Sequence, residues 1–283
     1  MFPFMKMPEP NHRPALTDRP ALLRQRDRAI GQGLVDVLHR LAADEIQDRL
    51  SEINRRFTAP ALVTGFPDLW GQAFPDARVI RDDPVLDLQP GAHDLVIHAM
   101  ALHWADDPVG QIAQCARALR EDGLFIAVCF GGQTLHELRG ALAQAEVELT
   151  GGLSPRILPM GEIRDMGGLI GRAGLALPVA DLLPQKASYR DLIHLAHDLR
   201  AMGEGNAMAA RLRRPTGRAV FARAAVILAE HHADRDDPSR IAVTFDLVFL
   251  TGWSPSDTQP KPLRRGSATT RLEDALKEIR TKT

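Results

Sequence analysis

The stretch that decides the fold is Asp94-Leu-Val-Ile-His-Ala-Met-Ala-Leu-His-Trp104. Its front half is an almost unbroken apolar run, suited to a strand buried on both faces, as in a parallel sheet covered by helices. The run then breaks into His103-Trp104 and Ala105-Asp106-Asp107-Pro108, and a proline fits the first position of a helix. The pattern predicts a helix over 109–120, then Asp122-Gly123 leading into a second apolar strand, Leu124 to Phe130. Together these form one βαβ unit. It sets His103 and Trp104 at the carboxyl end of a strand, where open α/β sheets hold ligands.

Upstream, Ala61-Leu62-Val63-Thr64 reads as the first strand of the same sheet. The turn after it, Gly65-Phe66-Pro67-Asp68, has one glycine where a nucleotide-holding turn needs several, and Pro67 offers no N–H. A second apolar run, Ala77 to Ile80, leaves room for only a short helix, and Arg81 to His93 carries no helical period. One βα unit of the doubly wound half is therefore expected to be shortened or missing. Before the sheet, Leu34, Val37, Leu38, Leu41, Ile46, Leu50, Ile53 and Phe57 recur at helical spacing and predict one long amphipathic N-terminal helix. The arginine-dense stretch from Leu16 to Ala29 reads as a solvated helix face, with a docking surface as the alternative. Met1 to Pro20, with several prolines and little periodicity, reads as an extended arm.

Downstream, Thr134 and Glu137 stand at capping-box spacing ahead of an apolar stripe through Leu135, Leu138, Leu142, Ala145 and Leu149. Further helices are expected from Met160 to Arg172, Tyr189 to Met202 and Thr216 to Glu230. A weak strand is expected from Val179 to Lys186, and an antiparallel strand from Ile241 to Leu250 at the sheet's far end. The expected organisation is an arm and helix over 1–58, an α/β domain over 59–253 with a helical insertion around 189–231, and a tail over 254–283 with a short charged helix from Arg271.

The 283 residues carry a formal net charge of −1, which gives no general pull toward nucleic acid or an acidic membrane. No run is long and apolar enough for a membrane span, and the segment before Met7 is too short for a secretory signal. These features predict a soluble, cytoplasmic protein with Cys115 and Cys129 as reduced, buried thiols.

Several ordered blocks resemble the class I S-adenosylmethionine-dependent methyltransferases, and more narrowly the methyltransferase-like assembly factors of respiratory complex I and their bacterial relatives. The malonyl-carrier-protein methyltransferases of biotin synthesis are similar to these in turn. The blocks are Met100 to Trp104, Phe130-Gly131-Gly132 through Arg139, Gly151 to Pro155, Asp165 to Gly174, Met202-Gly203-Glu204 to Asn206, and Arg265-Gly266-Ser267-Ala268. The resemblance implies a Rossmann-like fold, mostly parallel, with helices on both faces. It implies a cofactor-binding set of Gly65, Asp82, His103 and Trp104, with Asp82 near the adenine after a later strand and no residue assigned as the ribose acid. It implies a substrate or partner set of Gly131, Gly132 and Arg139. Because only Gly65 matches the glycine signature, the S-adenosylmethionine site is expected to be degenerate, with Phe66, Trp70 and Phe74 filling the space.

Each candidate has an ordinary alternative. His103 and Trp104 fit a pocket or the core; Gly131 and Gly132 fit a substrate approach or a plain turn; Arg139 fits an acidic group or solvent. His194 with His197, and His232-Ala233-Asp234, have metal-like spacing without a third ligand nearby, and no metal is expected. Three functions remain open: an assembly or accessory factor that binds a protein client, an active methyltransferase with an atypical cofactor loop, and a protein arginine hydroxylase, the activity that one branch of the resembled family implies.

Overall fold

The computed structural model describes residues 15–260. The block at 265–268, the helix expected from Arg271 and the first 14 residues of the expected arm lie outside the described residues.

The chain enters through two helices, α1 (Arg19–Gln32) and α2 (Val37–Glu52). The expected single long helix is thus α2, and the arginine-dense stretch ahead of it forms a helix of its own. Asp18 starts α1 by accepting from the Ala21 N–H, and Pro20 lies in its first turn. Then come β1 (Pro60–Thr64), α3 (Pro67–Ala73), β2 (Arg78–Arg81), β3 (His93–Ala99), α4 (Pro108–Ala118) and β4 (Leu119–Gly131). The second half holds α5 (His136–Thr150), α6 (Ile163–Arg172), β5 (Ala176–Tyr189), α7 (Leu192–Ala201), α8 (Arg218–His231) and β6 (Ile241–Trp253).

The six strands form one sheet in the order β2-β1-β3-β4-β6-β5. Pairing is parallel from β2 through β4 and antiparallel for β6 and β5. Every residue of β3 is buried, as its apolar run requires. β4 alternates: Leu124, Ile126, Val128 and Phe130 join the core under α2, α5, α7 and α8, while Phe125, Ala127 and Cys129 join the core under α4 and α6. Helices therefore cover both faces. After β2 the chain passes through residues 82–92 without a helix and returns to β3 on the other side of β1. A doubly wound half would place another helix and strand there, so the shortened βα unit is the outermost one.

Two expectations change at the far end. The strand there is β5, not the one from Ile241; β6 lies inside it, between β4 and β5. β5 is also longer than Val179 to Lys186, and it carries Pro184, which an edge strand tolerates because one side of its ladder is unpaired. Cys115 and Cys129 are both free and buried. Among the described residues no helix is long and apolar enough to cross a membrane.

Candidate functional site

The carboxyl ends of β1 and β2 form a lip. Thr64 ends β1, its hydroxyl accepts from the Phe66 N–H at 3.2 Å, and Gly65 makes the turn into α3. Asp82 follows the last residue of β2 directly. It stands at the carboxyl end of the strand that pairs with β1.

One residue covers both Gly65 and Asp82. The Arg26 guanidinium donates Nη1 to the two Asp82 carboxylate oxygens at 3.0 and 2.8 Å, and both side chains are almost fully buried. A Cβ built on Gly65 would stand 2.1 Å from Arg26 Nη1, so the guanidinium occupies the glycine's open face. Arg19 adds a forked contact, Nη1 and Nη2 to Asp82 at 3.0 and 2.8 Å. Burial alone would raise the Asp82 carboxyl; the bonds and charges of the two arginines reverse this and hold it far below the usual carboxylate range.

The solvated-face reading of this arginine stretch is thus corrected for Arg26 and Arg19, while Arg24 and Arg28 are exposed. Phe66 and Trp70 are buried beneath the lip, and Trp70 Nε1 donates to His39 Nδ1 at 3.0 Å. Arg26 therefore covers the open face of Gly65 and engages the Asp82 carboxylate at the same time.

On the other side of β3 the space is open. Leu102 to Trp104 form a single 3₁₀ turn, and His103 and Trp104 line a cavity of about 340 Å³ with Phe130 of β4, Leu138 of α5, Leu199 of α7 and Phe245 of β6. Glu204, just past α7, anchors that wall. Its Oε2 accepts from Trp104 Nε1 at 2.8 Å and lies 3.2 Å from His103 Nε2. Burial opposes the Glu204 charge, but His103, Arg26 and the Trp104 bond outweigh it, and the carboxyl is held below its ordinary value. Ahead of α1, Thr17 Oγ1 donates to the Trp104 carbonyl at 2.8 Å.

Of the remaining candidates, Thr134 lines the same cavity. A Cβ on Gly131 would meet Val248 Cγ2 at 2.6 Å, and one on Gly132, which has φ +54°, would meet Asp246 Oδ2 at 2.5 Å. Close packing on β6 accounts for both glycines. Thr134 and Glu137 do not cap α5: the Thr134 hydroxyl accepts from Asp246 N, and Glu137 accepts from Thr244 N and Oγ1, so both tie α5 to β6. Arg139 lines an adjoining cavity of about 260 Å³ with Leu153, and the two cavities share Leu142 and Ile157. Among the described residues no group of three or more His, Cys, Asp or Glu is placed to hold a metal.

Sequence reasoning missed Arg26 and Glu204 as site residues. A signal for the first existed: Leu22, Arg26 and Ala29 follow the spacing of a buried helix stripe. For Glu204 the sequence offered only its place in a matching block.

A Rossmann-like sheet whose last two strands turn antiparallel, with a glycine turn after the first strand and an acid after the second, defines a methyltransferase-type fold. A family model described as a methyltransferase domain matches residues 66–127. The chain is 35% identical over 206 residues to the mitochondrial arginine-hydroxylase NDUFAF5 of Danio rerio, covering 72% of this chain and 62% of that protein. It is 32% identical over 190 residues to the malonyl-[acyl-carrier protein] O-methyltransferase of Laribacter hongkongensis, covering 67% and 61%. The solved structure of the YcgJ protein of Bacillus subtilis overlays 76% of this chain and 99% of its own at 10% identity, with a TM-score of 0.48. The chain thus carries a match to a methyltransferase domain and is a homologue of the NDUFAF5 proteins. It spans about three fifths of the length of these curated relatives.

Proposed function

We propose that the chain is a methyltransferase-like assembly or accessory factor with a degenerate S-adenosylmethionine site, which holds a protein client and serves the maturation of respiratory complex I. One observation carries the reading: the Arg26 guanidinium lies across Gly65 and on Asp82, the two positions an adenosyl cofactor would need. The cavity beside His103 and Trp104 supports it, because a client side chain can enter there without a cofactor next to it. A cytoplasmic setting belongs to the same proposal; the word mitochondrial in the relatives' names describes those proteins.

The test is a calorimetric titration with S-adenosylhomocysteine, paired with a thermal-shift series. The expected result is no heat and no shift at about 1 mM ligand. Micromolar binding would reverse the reading in favour of an active methyltransferase. In that case proximity and orientation of the bound methyl donor would carry catalysis.

A second reading is favoured by the 35% identity to proteins named arginine-hydroxylases. It is tested by mass spectrometry of complex I subunits from cells with and without the gene. A peptide heavier by one oxygen atom only when the gene is present supports hydroxylation. Normal complex I activity after deletion counts against the assembly role.

A further inference from the structure

The cavity beside Trp104 and the one beside Arg139 meet, since Leu142 and Ile157 line both. The floor of the larger one is buried and apolar, with Phe130 and Phe245 from the strands, Leu138 from α5 and Leu199 from α7. At its rim Arg200 and Arg214 are exposed, and neither guanidinium has a partner among the described residues. Arg139, half-buried in the adjoining cavity, is a third guanidinium in the same position. The other charges of the lining are compensated. Arg156 pairs with Glu146 at 2.6 Å and Arg211 with Asp18 at 2.8 Å. Glu204 is the single acid among the described residues that line the two cavities, and His103, Arg26 and the Trp104 N–H hold its carboxylate within the wall. The charge left over is positive and stands at the mouth of an apolar interior.

We infer that the joined cavities bind an anionic single-chain amphiphile, with its carboxylate or phosphate head on Arg200 and Arg214 and its alkyl chain along Leu138, Leu199 and Phe245. A cation on the same chain is repelled at the rim, and a neutral chain fills the floor but leaves the rim charge unanswered. A short polar anion gains the rim and forgoes the floor, where each buried methylene strengthens binding about fourfold. Glu204 Oε1 and His103 Nδ1 are buried without partners, so the chain runs along α5 and α7 and away from that wall. The inference goes beyond the client reading and does not rest on it; the amphiphile and a client side chain exclude one another from the same floor.

The experiment titrates octanoate, decanoate, decyl phosphate, decanol and decylammonium, each below its micelle concentration, into the full chain at neutral pH, followed by backbone amide chemical shifts. Decanoate or decyl phosphate is expected to bind about fivefold or more tighter than decanol, with decylammonium weakest; the tighter anion identifies the head. Decanoate should bind about fifteenfold tighter than octanoate, two methylenes shorter. Changing both Arg200→Gln and Arg214→Gln, at exposed positions, should bring the anions down to the level of decanol and leave decanol unchanged. Equal binding of anion and alcohol, tighter binding of decylammonium, or no gain from octanoate to decanoate overturns the inference. So does an anion preference that survives the double change, a shift pattern that spares Leu138, Leu199 and Phe245, or silence of every probe at about 1 mM. Binding of S-adenosylhomocysteine would sink the degenerate-site reading and leave these ratios standing, so the two failures are distinguishable.

Discussion

Replacing Asp82 with Asn tests whether the lip is closed by a buried charge pair. Asparagine keeps the shape and one acceptor but removes the charge, leaving Arg26 as a cation only 2% exposed with its hydrogen-bonded anion gone. Breaking a buried pair from one side costs about 3–5 kcal/mol, mostly through the stranded charge. Arg19 is 23% exposed and can rehydrate, so its loss adds little. The expected cost is therefore about 3 kcal/mol, at the lower end. The opposite change, Arg26→Met, leaves Asp82 with both Arg19 bonds and also removes Arg26 Nε and Nη2, which lack partners. Its cost should be smaller, about 1–2 kcal/mol. Urea unfolding followed by circular dichroism at neutral pH measures both. If Asp82→Asn proves the milder change, or if both stay within about 0.5 kcal/mol of the unaltered protein, the pair does not close the lip.

The same pair predicts a pH signature. Because the folded Asp82 carboxyl is depressed, the unfolded chain takes up the proton first as pH falls. The stabilisation is fully present above the unfolded value of about 3.9 and is lost as pH drops below it toward the folded one. The gap between the unaltered protein and Asp82→Asn should stay flat from about pH 8 to pH 5 and shrink only under about pH 4. A gap that changes near neutrality would implicate another group.

Gly65→Ala places a methyl group 2.1 Å from Arg26 Nη1, so it should lower stability by about 1–3 kcal/mol in thermal unfolding. The penalty should largely vanish in an Arg26→Met background; an undiminished one would mean that something else crowds Gly65. His39 makes a different prediction, since burial, aided by the Arg26 and His103 charges and opposed by Glu204, lowers its imidazole from 6.5 to about 4. The unfolded chain then binds the proton first, so His39 contributes stability above pH 6.5 that is lost as pH falls toward 4, with a slope of up to about 1.4 kcal/mol per pH unit. His39→Gln keeps an acceptor for Trp70 and should flatten that part of the stability profile; an unchanged slope would rule His39 out.

What could be read from the sequence was whatever a local period encodes. The apolar run of β3, the alternation of β4 and the length of chain between Arg81 and His93 gave the sheet, its two covered faces and the shortened unit. The arrangement of β5 and β6 was not readable in that way, because adjacency between strands separated by two helices depends on which sheet edge is free. At the site, attention to the turn itself, with Phe66 and Pro67, missed the occupant of the lip. That occupant comes from α1, residues upstream of β1, and its position follows from tertiary packing of the stripe Leu22, Arg26 and Ala29 against the sheet's carboxyl edge. Arginine counts as polar in any periodicity, so a buried arginine inside an apolar stripe looks like an interruption of the stripe.

The lip and the cavity share Arg26, and that coupling can be tested. The Arg26 stem packs beside Gly203, and its charge is one of the causes that hold the neighbouring Glu204 carboxyl low. Removing that charge with Arg26→Met should therefore raise the Glu204 carboxyl toward its ordinary value, read from the side-chain carboxyl chemical shift across a pH series. An unmoved titration would mean that His103 and Trp104 hold the carboxylate without help from α1.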